Sequence, residues 1–401
     1  MRNDPGREGA GATRATNAHL PALAEFFRRV WDSNASAKRV EDAWEGEGKV
    51  NFVEPGQPPP VFVFLKDGAV IGYLSTIPAR FSIEGDRKDG YWLKGLWVLP
   101  EHRGGPVGFH LVRAATSELD PLAALAVAEP ARRLFQAVGF EDVCGPPNYF
   151  WPLRPRHLFQ QLDPDRVLRA GASFERRAWR WIRRVRLAGL AGSALTALLR
   201  LSRSTGQRSS WSLVERWEQL DRAQVDSLWR TVEGQRYCGL VRDAHYLRWR
   251  YARRHSEGYR LVAVSEPRAG EEGAILAVAV AKLPTLVSQG RFEGVRVGWL
   301  SELIFSPERE KSRCAAHTAI ERVERILTDS GGDVLLHSFS GPGYDRLFRE
   351  RRHLRRSATM HLLVKGLDVD GGGEPKAANQ ERNLSPSWFV ARGDGDSDGL
   401  S

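Results

Sequence analysis

The stretch from Leu93 to Val112, LKGLWVLPEHRGGPVGFHLV, constrains the fold more than any other part of this chain. It predicts an apolar strand that ends at Pro100, a glycine-rich turn, and a helix that begins near Gly108. At such a junction the first backbone N–H groups of the helix have no intrahelical acceptor, and the helix dipole is positive. The junction therefore favours an α/β fold that can hold an anionic group, such as a phosphate, at the helix N-terminus.

The segments around this junction predict a meandering sheet flanked by helices. Residues 17–31 carry apolar side chains at helical spacing, and Asp67-Gly68 between two apolar runs is a strong hairpin signal. After the junction, residues 122–129 are typical of a short buried strand, and Pro130 can begin a further helix. This order of elements is that of an α/β domain.

The same order of predicted elements recurs from Trp211 onward. Pro307 follows an apolar strand in this second part, as Pro100 does in the first. We therefore predict a tandem duplication with two diverged halves, residues 12–155 and residues 209–366.

Three segments lie outside these halves. Residues 1–11 and 367–401 are polar and rich in glycine, and we expect both to be disordered. Residues 156–208 predict a basic amphipathic helical linker whose uncharged part is too short to cross a bilayer. Packing on protein is the interpretation that we favour for this helix, and contact with an anionic lipid surface through residues 174–201 is the alternative.

The composition is that of a globular, cytoplasmic protein with an anionic partner. The 401 residues are 42% hydrophobic, have a net charge of +10, and begin without the apolar core of a secretory signal. The three cysteines, Cys144, Cys238 and Cys314, are scattered, which argues against a disulfide framework and a zinc cluster. The positive charge suits a nucleic acid, a lipid surface, or a phosphorylated cofactor or substrate.

Two segments of the first half resemble a known family. LWVLPEHRGGPVGFHLVRAA, followed about twenty residues later by EPARRLFQAVGFE, is similar to the GNAT superfamily of acetyl-CoA-dependent N-acyltransferases. The resemblance covers residues 12–155 and, by element order alone, residues 209–366. It implies two GNAT-like domains in tandem, the second one degenerate, each a mixed, mostly antiparallel sheet flanked by helices.

The resemblance also implies which residues hold the cofactor, acetyl-CoA or another short acyl-CoA. Leu96, Trp97 and Val98 would form the strand that pairs with the pantetheine arm. The turn would bind the diphosphate through residues Arg103, Gly104, Gly105, Val107, Gly108 and Phe109. Pro106 stands where the family has its first glycine, and it has no N–H to offer a phosphate.

Acyl transfer to an amine also needs a base for the amine and an acid for the leaving thiolate. Phe135 takes the position where the family often supplies a tyrosine as that acid. Glu129, before Pro130, is our leading candidate for the base, and its alternative role is that of a surface residue favoured by the helix dipole. Tyr91 is a further candidate on a neighbouring element.

In the second half the corresponding turn has no glycine, and Glu308 and Glu310 would repel phosphates. We therefore expect that this half does not bind coenzyme A in the family's usual way. Glu302, on the strand before the turn, could act as a base, and Tyr344 could act as an acid. The alternative roles are an exposed strand residue and a tyrosine packed on the sheet.

These observations favour a cytoplasmic acyl-CoA-dependent N-acyltransferase that uses direct attack within a ternary complex. Its expected acceptor is a small-molecule amine or amino sugar, with no metal and no nucleic acid. One alternative is a coenzyme A-binding sensor or scaffold without turnover. Another is a tandem transferase that moves amino acids from charged tRNA onto cell-wall precursors, which the basic charge would suit.

Overall fold

The computed structural model describes residues 10–30, 34–48, 51–127, 129–162, 211–234, 238–268, 271–290, 292–367 and 388–395. Most of the predicted linker of residues 156–208, including the stretch 174–201, lies outside these described residues, and so do residues 1–9.

Sixteen strands and nine α-helices are formed by the described residues. The strands are β1 (Gly11–Arg14), β2 (Val61–Lys66), β3 (Ala69–Ile83), β4 (Asp86–Val98), β5 (Leu122–Leu125), β6 (Glu141–Cys144), β7 (Asn148–Pro152), β8 (Ser212–Val214), β9 (Cys238–Leu240), β10 (Tyr259–Arg268), β11 (Glu271–Leu286), β12 (Arg296–Phe305), β13 (Val334–Ser340), β14 (Leu354–Arg356), β15 (Leu362–Lys365) and β16 (Trp388–Ala391). The α-helices are α1 (Leu20–Val30), α2 (Ala37–Gly48), α3 (Val107–Glu118), α4 (Glu129–Ala137), α5 (Pro155–Gln161), α6 (Arg222–Glu233), α7 (Ala244–Leu247), α8 (Glu310–Asp329) and α9 (Tyr344–Glu350).

The chain divides into two compact units, and neither is continuous in sequence. The first unit consists of residues 1–145, 238–241 and 360–385, and the second of the remaining residues. Each unit therefore contains at least one strand from the half of the chain that mainly forms the other unit. These strands are β7, which belongs to the second unit, and β9 and β15, which belong to the first.

The first unit is built on a mixed sheet with the order β1-β2-β3-β4-β5-β15-β6. Only β4 and β5 are parallel neighbours in this order, and β15 lies antiparallel between β5 and β6. Helix α1 packs on β3, and α3 packs on β1, β2 and β3. This arrangement confirms the predicted α/β fold with a mixed, mostly antiparallel sheet flanked by helices.

Local sequence explains how this sheet begins. The β2–β3 hairpin turns at Asp67 (φ 51°) and Gly68 (φ 75°), which both have the positive φ that a type I′ turn requires. The hairpin predicted from Asp67-Gly68 is therefore confirmed. Strands β2, β3 and β4 bury Phe62, Leu74 and Leu93 in one apolar core, which also includes Leu363 of β15.

The second unit repeats this plan with other strands. Its sheet has the order β8-β10-β11-β12-β13-β7-β14, in which β12 and β13 are parallel and β7 is antiparallel to both of its neighbours. Helix α8 contacts β10, β11 and β12 through a face of fully buried small and aliphatic residues that includes Ala315, Ala319 and Val323. The sixth strand of each sheet, β15 in the first and β7 in the second, thus comes from the half of the chain that forms most of the other sheet.

One predicted segment is corrected by this structure. The expected disordered tail of residues 367–401 contains β16 and a short 3-10 turn at Arg392–Gly395. Trp388, Phe389, Val390 and Ala391 are each at most 4% exposed. Four consecutive apolar residues provide enough burial to order a short strand, although the composition around them is typical of disorder.

Candidate functional site

Strands β4 and β5 of the first unit separate halfway along their length. They pair only from Tyr91 to Leu93, opposite Leu122 to Ala124. Beyond this point β4 continues to pair with β3, and a β-bulge inserts an extra residue at Gly95-Leu96, where Gly95 has a φ of 66°. As a result, no strand among the described residues pairs with the β5-facing edge of residues 96–98.

The turn after β4 leads directly into the N-terminus of α3. Gly104 has a φ of 81°, which favours glycine, and Pro106 is the N-cap residue of α3 without a side-chain cap. The helix start lies very close to the sheet, because a Cβ atom at Gly72 would come within 2.6 Å of Val107 Cγ1. The missing side chain at Gly72 therefore allows α3 to begin beside the open edge of β4.

Several backbone N–H groups of this turn point to no protein acceptor. Within the described part of the chain, no hydrogen-bond acceptor is found for the amides of residues Gly104, Gly105, Val107, Gly108 and Phe109. The amide of Arg103 differs, because it donates to the carbonyl of Pro100 at 3.2 Å. Unsatisfied amides at a positive helix N-terminus form an anion-binding concavity.

The side chain of Arg103 contacts the turn itself. Its Nε donates to the carbonyl of Val98 at 3.0 Å, and its guanidinium lies 5.3 Å from the ring of Trp97. Glu101, the one acidic residue of this turn, forms an ion pair with Arg29. The guanidinium of Arg103 thus fixes the end of the open edge, while the negative charge of Glu101 is paired.

The two catalytic candidates of the first unit have different surroundings. Glu129 begins α4, has a side chain that is 60% exposed, and lies 3.4 Å from Arg132 and 3.9 Å from Arg133. Tyr91 is buried, and its hydroxyl has no hydrogen-bond partner among the described residues. Burial raises the pKa of Tyr91 to about 12. Phe135 is buried against Phe140, with 5.0 Å between the ring centroids.

Glu302 in the second unit is neither exposed nor free. Both of its carboxylate oxygens accept a hydrogen bond from Arg242 Nε at 3.1 Å, and both side chains are fully buried. Burial raises the pKa of Glu302 to about 7, against the opposing effect of the Arg242 charge. Tyr344 donates its hydroxyl proton to the carbonyl of Leu303 at 2.6 Å.

The turn of the second unit differs from that of the first. The amide of Ser306 donates to Ser312 Oγ at 2.8 Å, and the amide of Arg309 donates to the carbonyl of Ser306. Equivalent amides of the first turn are bonded as well, so these two bonds do not distinguish the turns. Glu310 adds a carboxylate to the first turn of α8.

A cleft of about 860 Å³ lies in the first unit, between the start of α1, helix α2 and the loop before β2. The side chains of Glu41 and Trp44 line it from α2, and Arg14 lines it from β1. Arg14 forms an ion pair with Glu54, whereas Trp44 donates to the carbonyl of Pro59. The sequence pattern did not identify this cleft, because its lining residues come from three separate segments.

The described residues form neither a membrane-spanning helix nor a cluster of metal-ligating side chains. None of the described helices is long and apolar enough to cross a membrane. No group of three or more His, Cys, Asp or Glu side chains in the described ranges could hold a metal ion.

Comparison with known proteins finds a family match for part of the first unit. Residues 20–140 match the model of the acetyltransferase (GNAT) family. No curated protein gives a significant match to this sequence.

Solved structures resemble most of the chain at low identity. Saccharomyces cerevisiae N-myristoyltransferase with bound myristoyl-CoA and inhibitors is 12% identical, with a TM-score of 0.54 over 91% of this chain and 82% of that one. A GCN5-related N-acetyltransferase from Kribbella flavida is 14% identical, with a TM-score of 0.51 over 89% and 70%. One from Anabaena variabilis is 12% identical, with a TM-score of 0.50 over 90% and 74%. At this identity the likeness shows a common fold. The family match itself is confined to residues 20–140, which match the acetyltransferase (GNAT) family.

Proposed function

We propose that this protein is an acyl-CoA-dependent N-acyltransferase whose first unit binds acyl-CoA, most simply acetyl-CoA. The observation that carries the proposal is the open edge of residues 96–98 next to the unsatisfied amides of the following turn. A pantetheine arm has amide groups that can pair with a strand edge, and a diphosphate needs N–H donors. Both features lie at one junction of the chain.

The cofactor-binding residues then divide by the part of coenzyme A that they contact. Residues Leu96, Trp97 and Val98 hold the pantetheine arm through their backbone. The amides of residues Gly104, Gly105, Val107, Gly108 and Phe109 hold the diphosphate. Arg103 positions the turn, because its guanidinium is anchored on Val98 and Trp97.

Transfer proceeds by direct attack of the acceptor nitrogen on the thioester carbonyl carbon. A C–N bond forms, the C–S bond breaks, and the thiol leaves after it gains a proton. Glu129 is the base that we propose for the amine proton, because it directly follows the segment after β5, where β4 and β5 have separated, and its carboxylate reaches solvent. Tyr91 lies at the first paired level of β4 and β5, two residues before the strands separate, and its raised pKa keeps it protonated at neutral pH.

The cleft beside α2 suits a cationic amine or amino sugar as the acceptor. The side chains of Glu41 and Trp44 are three residues apart on α2 and line the cleft together. A carboxylate and an aromatic face attract an ammonium group. The Arg14 charge in the same cleft is balanced by Glu54.

The two halves are proposed to be tandem duplicates, residues 12–155 and 209–366. Their sheets have the same strand order, with the same single parallel pair, once β7 and β15 are taken as exchanged. Only the first unit keeps the glycine turn.

Binding of coenzyme A to the first unit is tested by calorimetry with the full chain and with Gly108→Val. A Cβ atom at Gly108 lies 3.1 Å from Leu134 Cδ1 and 4.0 Å from Leu96 Cδ2, so a valine fills the space between the helix start and β4. We expect one coenzyme A per chain for the native sequence and at least a tenfold weaker affinity for Gly108→Val. The matched control is Ser117→Val at the exposed end of the same helix, which should bind normally. Equal binding by all three would refute the proposed cofactor site.

Turnover is tested by release of free thiol from acetyl-CoA with a panel of amines and amino sugars. Acceptor-dependent release supports the transferase. Binding of coenzyme A without thiol release from any short acyl-CoA supports the coenzyme A sensor. Phe135 is buried at the position where the family often has a tyrosine acid, and this would suit a sensor. The two outcomes separate the two functions because both require the same cofactor site.

A further inference from the structure

The second unit keeps the strand geometry of the first but fills the resulting gap with its own chain. Strand β12 has a bulge with one extra residue, Ser301, between Leu300 and Glu302. It pairs with β13 only from Val297 to Trp299. Beyond that point the two strands separate, as β4 and β5 do in the first unit.

The segment of residues 388–395 occupies the space next to the separated part of β13. Phe339 and Ser340 of β13 pair antiparallel with Ala391 and Val390. Ser340 Oγ also donates to the carbonyl of Trp388 at 3.2 Å. The segment therefore binds β13 as an added strand, which is how extended peptides bind exposed sheet edges.

The end of the segment lies against the bulge. A Cβ atom at Gly393 would come within 2.8 Å of the Ser301 carbonyl oxygen, so only glycine fits there without displacement. The carbonyl of Gly393 accepts a hydrogen bond from Arg250 Nη2 at 2.6 Å. The space that holds the segment is bounded by β13, by the bulge at Ser301 and by Arg250, and we call it the slot. The slot thus contacts the backbone of the segment on both sides.

Asp394 provides the charge that the slot recognises. Its Oδ1 accepts a hydrogen bond from Arg242 Nη2, and its Oδ2 accepts one from the amide of Ala391 at 2.8 Å. The Arg242 guanidinium also lies 4.0 Å from the ring centroid of Phe389. Arg242 thus pairs with two buried carboxylates, those of Asp394 and Glu302.

We propose that the second unit contains a binding slot for an extended, carboxylate-bearing peptide, and that residues 388–395 of this chain are its ligand. Backbone pairing with β13 supplies the binding of an extended strand, and Arg242 selects a carboxylate at the position of Asp394. The slot is a peptide site and not a second acyl-CoA site, since residues 388–395 pair with β13 there and Glu310 places a carboxylate in the first turn of α8. This proposal does not depend on acyl transfer by the first unit.

The test measures binding of the segment after its covalent link is cut. A protease site is inserted between residues 368 and 387 of the full chain, and the chain is cleaved under native conditions. A fluorescent synthetic peptide of residues 386–397 is then added, and its exchange into the slot is followed by anisotropy. We expect the peptide to bind the cleaved chain and not the uncut chain, whose slot is filled.

Substituted peptides test the selectivity of the slot. Asp394→Asn in the peptide should weaken binding about ten- to hundredfold, because a charge-assisted hydrogen bond between buried groups is lost. Asp396→Asn changes the peptide charge equally and serves as the matched control, with binding within about threefold of the unsubstituted peptide. Equal affinities of the two substituted peptides would overturn the proposed recognition by Arg242.

A second measurement applies if the cleaved chain keeps its own segment and does not take up the added peptide. Gel filtration after cleavage, in chains with and without Asp394→Asn, shows whether the native segment stays bound and whether the substituted one dissociates. Retention of both would make the segment a permanent part of the fold and overturn the proposal. A second coenzyme A binding to a chain truncated after residue 385 would also overturn it.

Discussion

A single proline decides how many donors the first turn can offer. Pro106 has φ −80° and ψ 0°, a conformation open to alanine, so Pro106→Ala adds one N–H without changing the backbone. If that N–H reaches the diphosphate, coenzyme A should bind about two- to tenfold more tightly, the range of a net hydrogen bond. Calorimetry with coenzyme A measures the change.

The control for this prediction is a ligand without the diphosphate. Pantetheine should bind Pro106→Ala and the native chain with the same affinity, because its contacts are with residues 96–98. An equal gain for both ligands would mean that the substitution acts on the open edge and not on the phosphate donors.

Glu129 is the residue on which the proposed proton transfer depends. Glu129→Gln keeps the shape of the side chain and removes its basicity, so kcat should fall about a hundredfold or more at neutral pH, with KM nearly unchanged. Glu118→Gln at the end of α3 makes the same charge change away from the junction and should leave kcat unaltered. A kcat for Glu129→Gln within twofold of the native value would leave Glu129 as a surface residue paired with Arg132.

The buried carboxylate of Glu302 makes the second unit sensitive to pH. Burial raises the pKa of Glu302 from its ordinary value of 4.5 to about 7, so between these values the folded state binds more protons than the unfolded state. The contribution of Glu302 to stability is therefore largest below about pH 4.5 and declines as the pH rises to about 7. The raised pKa of the buried Asp394 acts in the same direction.

Urea denaturation at pH 5 and pH 7.5 tests this contribution. His337 has a lowered pKa through burial, and its effect has the opposite sign, so the native chain must be compared with Glu302→Gln. We expect the free energy of unfolding of the native chain to fall more between these pH values than that of the variant. A larger fall in the variant would contradict the assignment of the proton to Glu302.

At the scale of elements, the position of α3 depends on the absence of a side chain on β3. A Cβ atom at Gly72 would lie 2.6 Å from Val107 Cγ1 and 2.9 Å from Leu111 Cδ1. Gly72→Ala should therefore push α3 away from the sheet, destabilise the protein by about 1–3 kcal/mol, and weaken coenzyme A binding. Thermal unfolding and calorimetry measure the two effects.

A second substitution separates this displacement from a general loss of stability. Val107→Ala removes the contacting methyl group, so the double variant Gly72→Ala/Val107→Ala should recover much of the lost affinity. If the double variant binds no better than Gly72→Ala alone, the contact between α3 and β3 does not set the position of the turn.

Local signals predicted most elements because each is decided by a few neighbouring residues. Asp67-Gly68 fixed the first hairpin, and Gly139, with a φ of 94°, ends the region of α4 as the sequence indicated. Strand β16 was not predicted, because four apolar residues inside a polar, glycine-rich tail give too little pattern to outweigh the composition. The bulge at Gly95-Leu96 was also missed, since it depends on register with β3.

The candidate site could be predicted only where backbone chemistry forms it. The unsatisfied amides follow from a strand, a glycine turn and a helix that are adjacent in sequence, whereas the open edge was implied by the family resemblance. The environment of Glu302 could not be predicted, because its partners Arg242 and Asp394 are distant in sequence and meet only in the folded unit. The same holds for the cleft beside α2.

At the scale of the whole molecule, the exchange of β7 and β15 makes each unit depend on a distant part of the chain. The fragment of residues 12–155 lacks β15, whose Leu362, Leu363 and Val364 fill the sheet between β5 and β6. The fragment's own β7 offers the larger residues Tyr149, Phe150 and Trp151 for the same space, which would overpack it. We therefore expect this fragment to show no cooperative thermal unfolding.

A grafted fragment provides the matched comparison. Leu362 pairs with Cys144 at the end of β6, so an Asn-Gly turn can join residues 12–144 to residues 362–367 as a direct hairpin. This fragment restores the native neighbours of β5 and should unfold cooperatively in circular dichroism and bind coenzyme A. If the fragment of residues 12–155 unfolds at the same temperature as the graft, β7 can replace β15. Side-chain size then does not decide which of the two strands lies between β5 and β6.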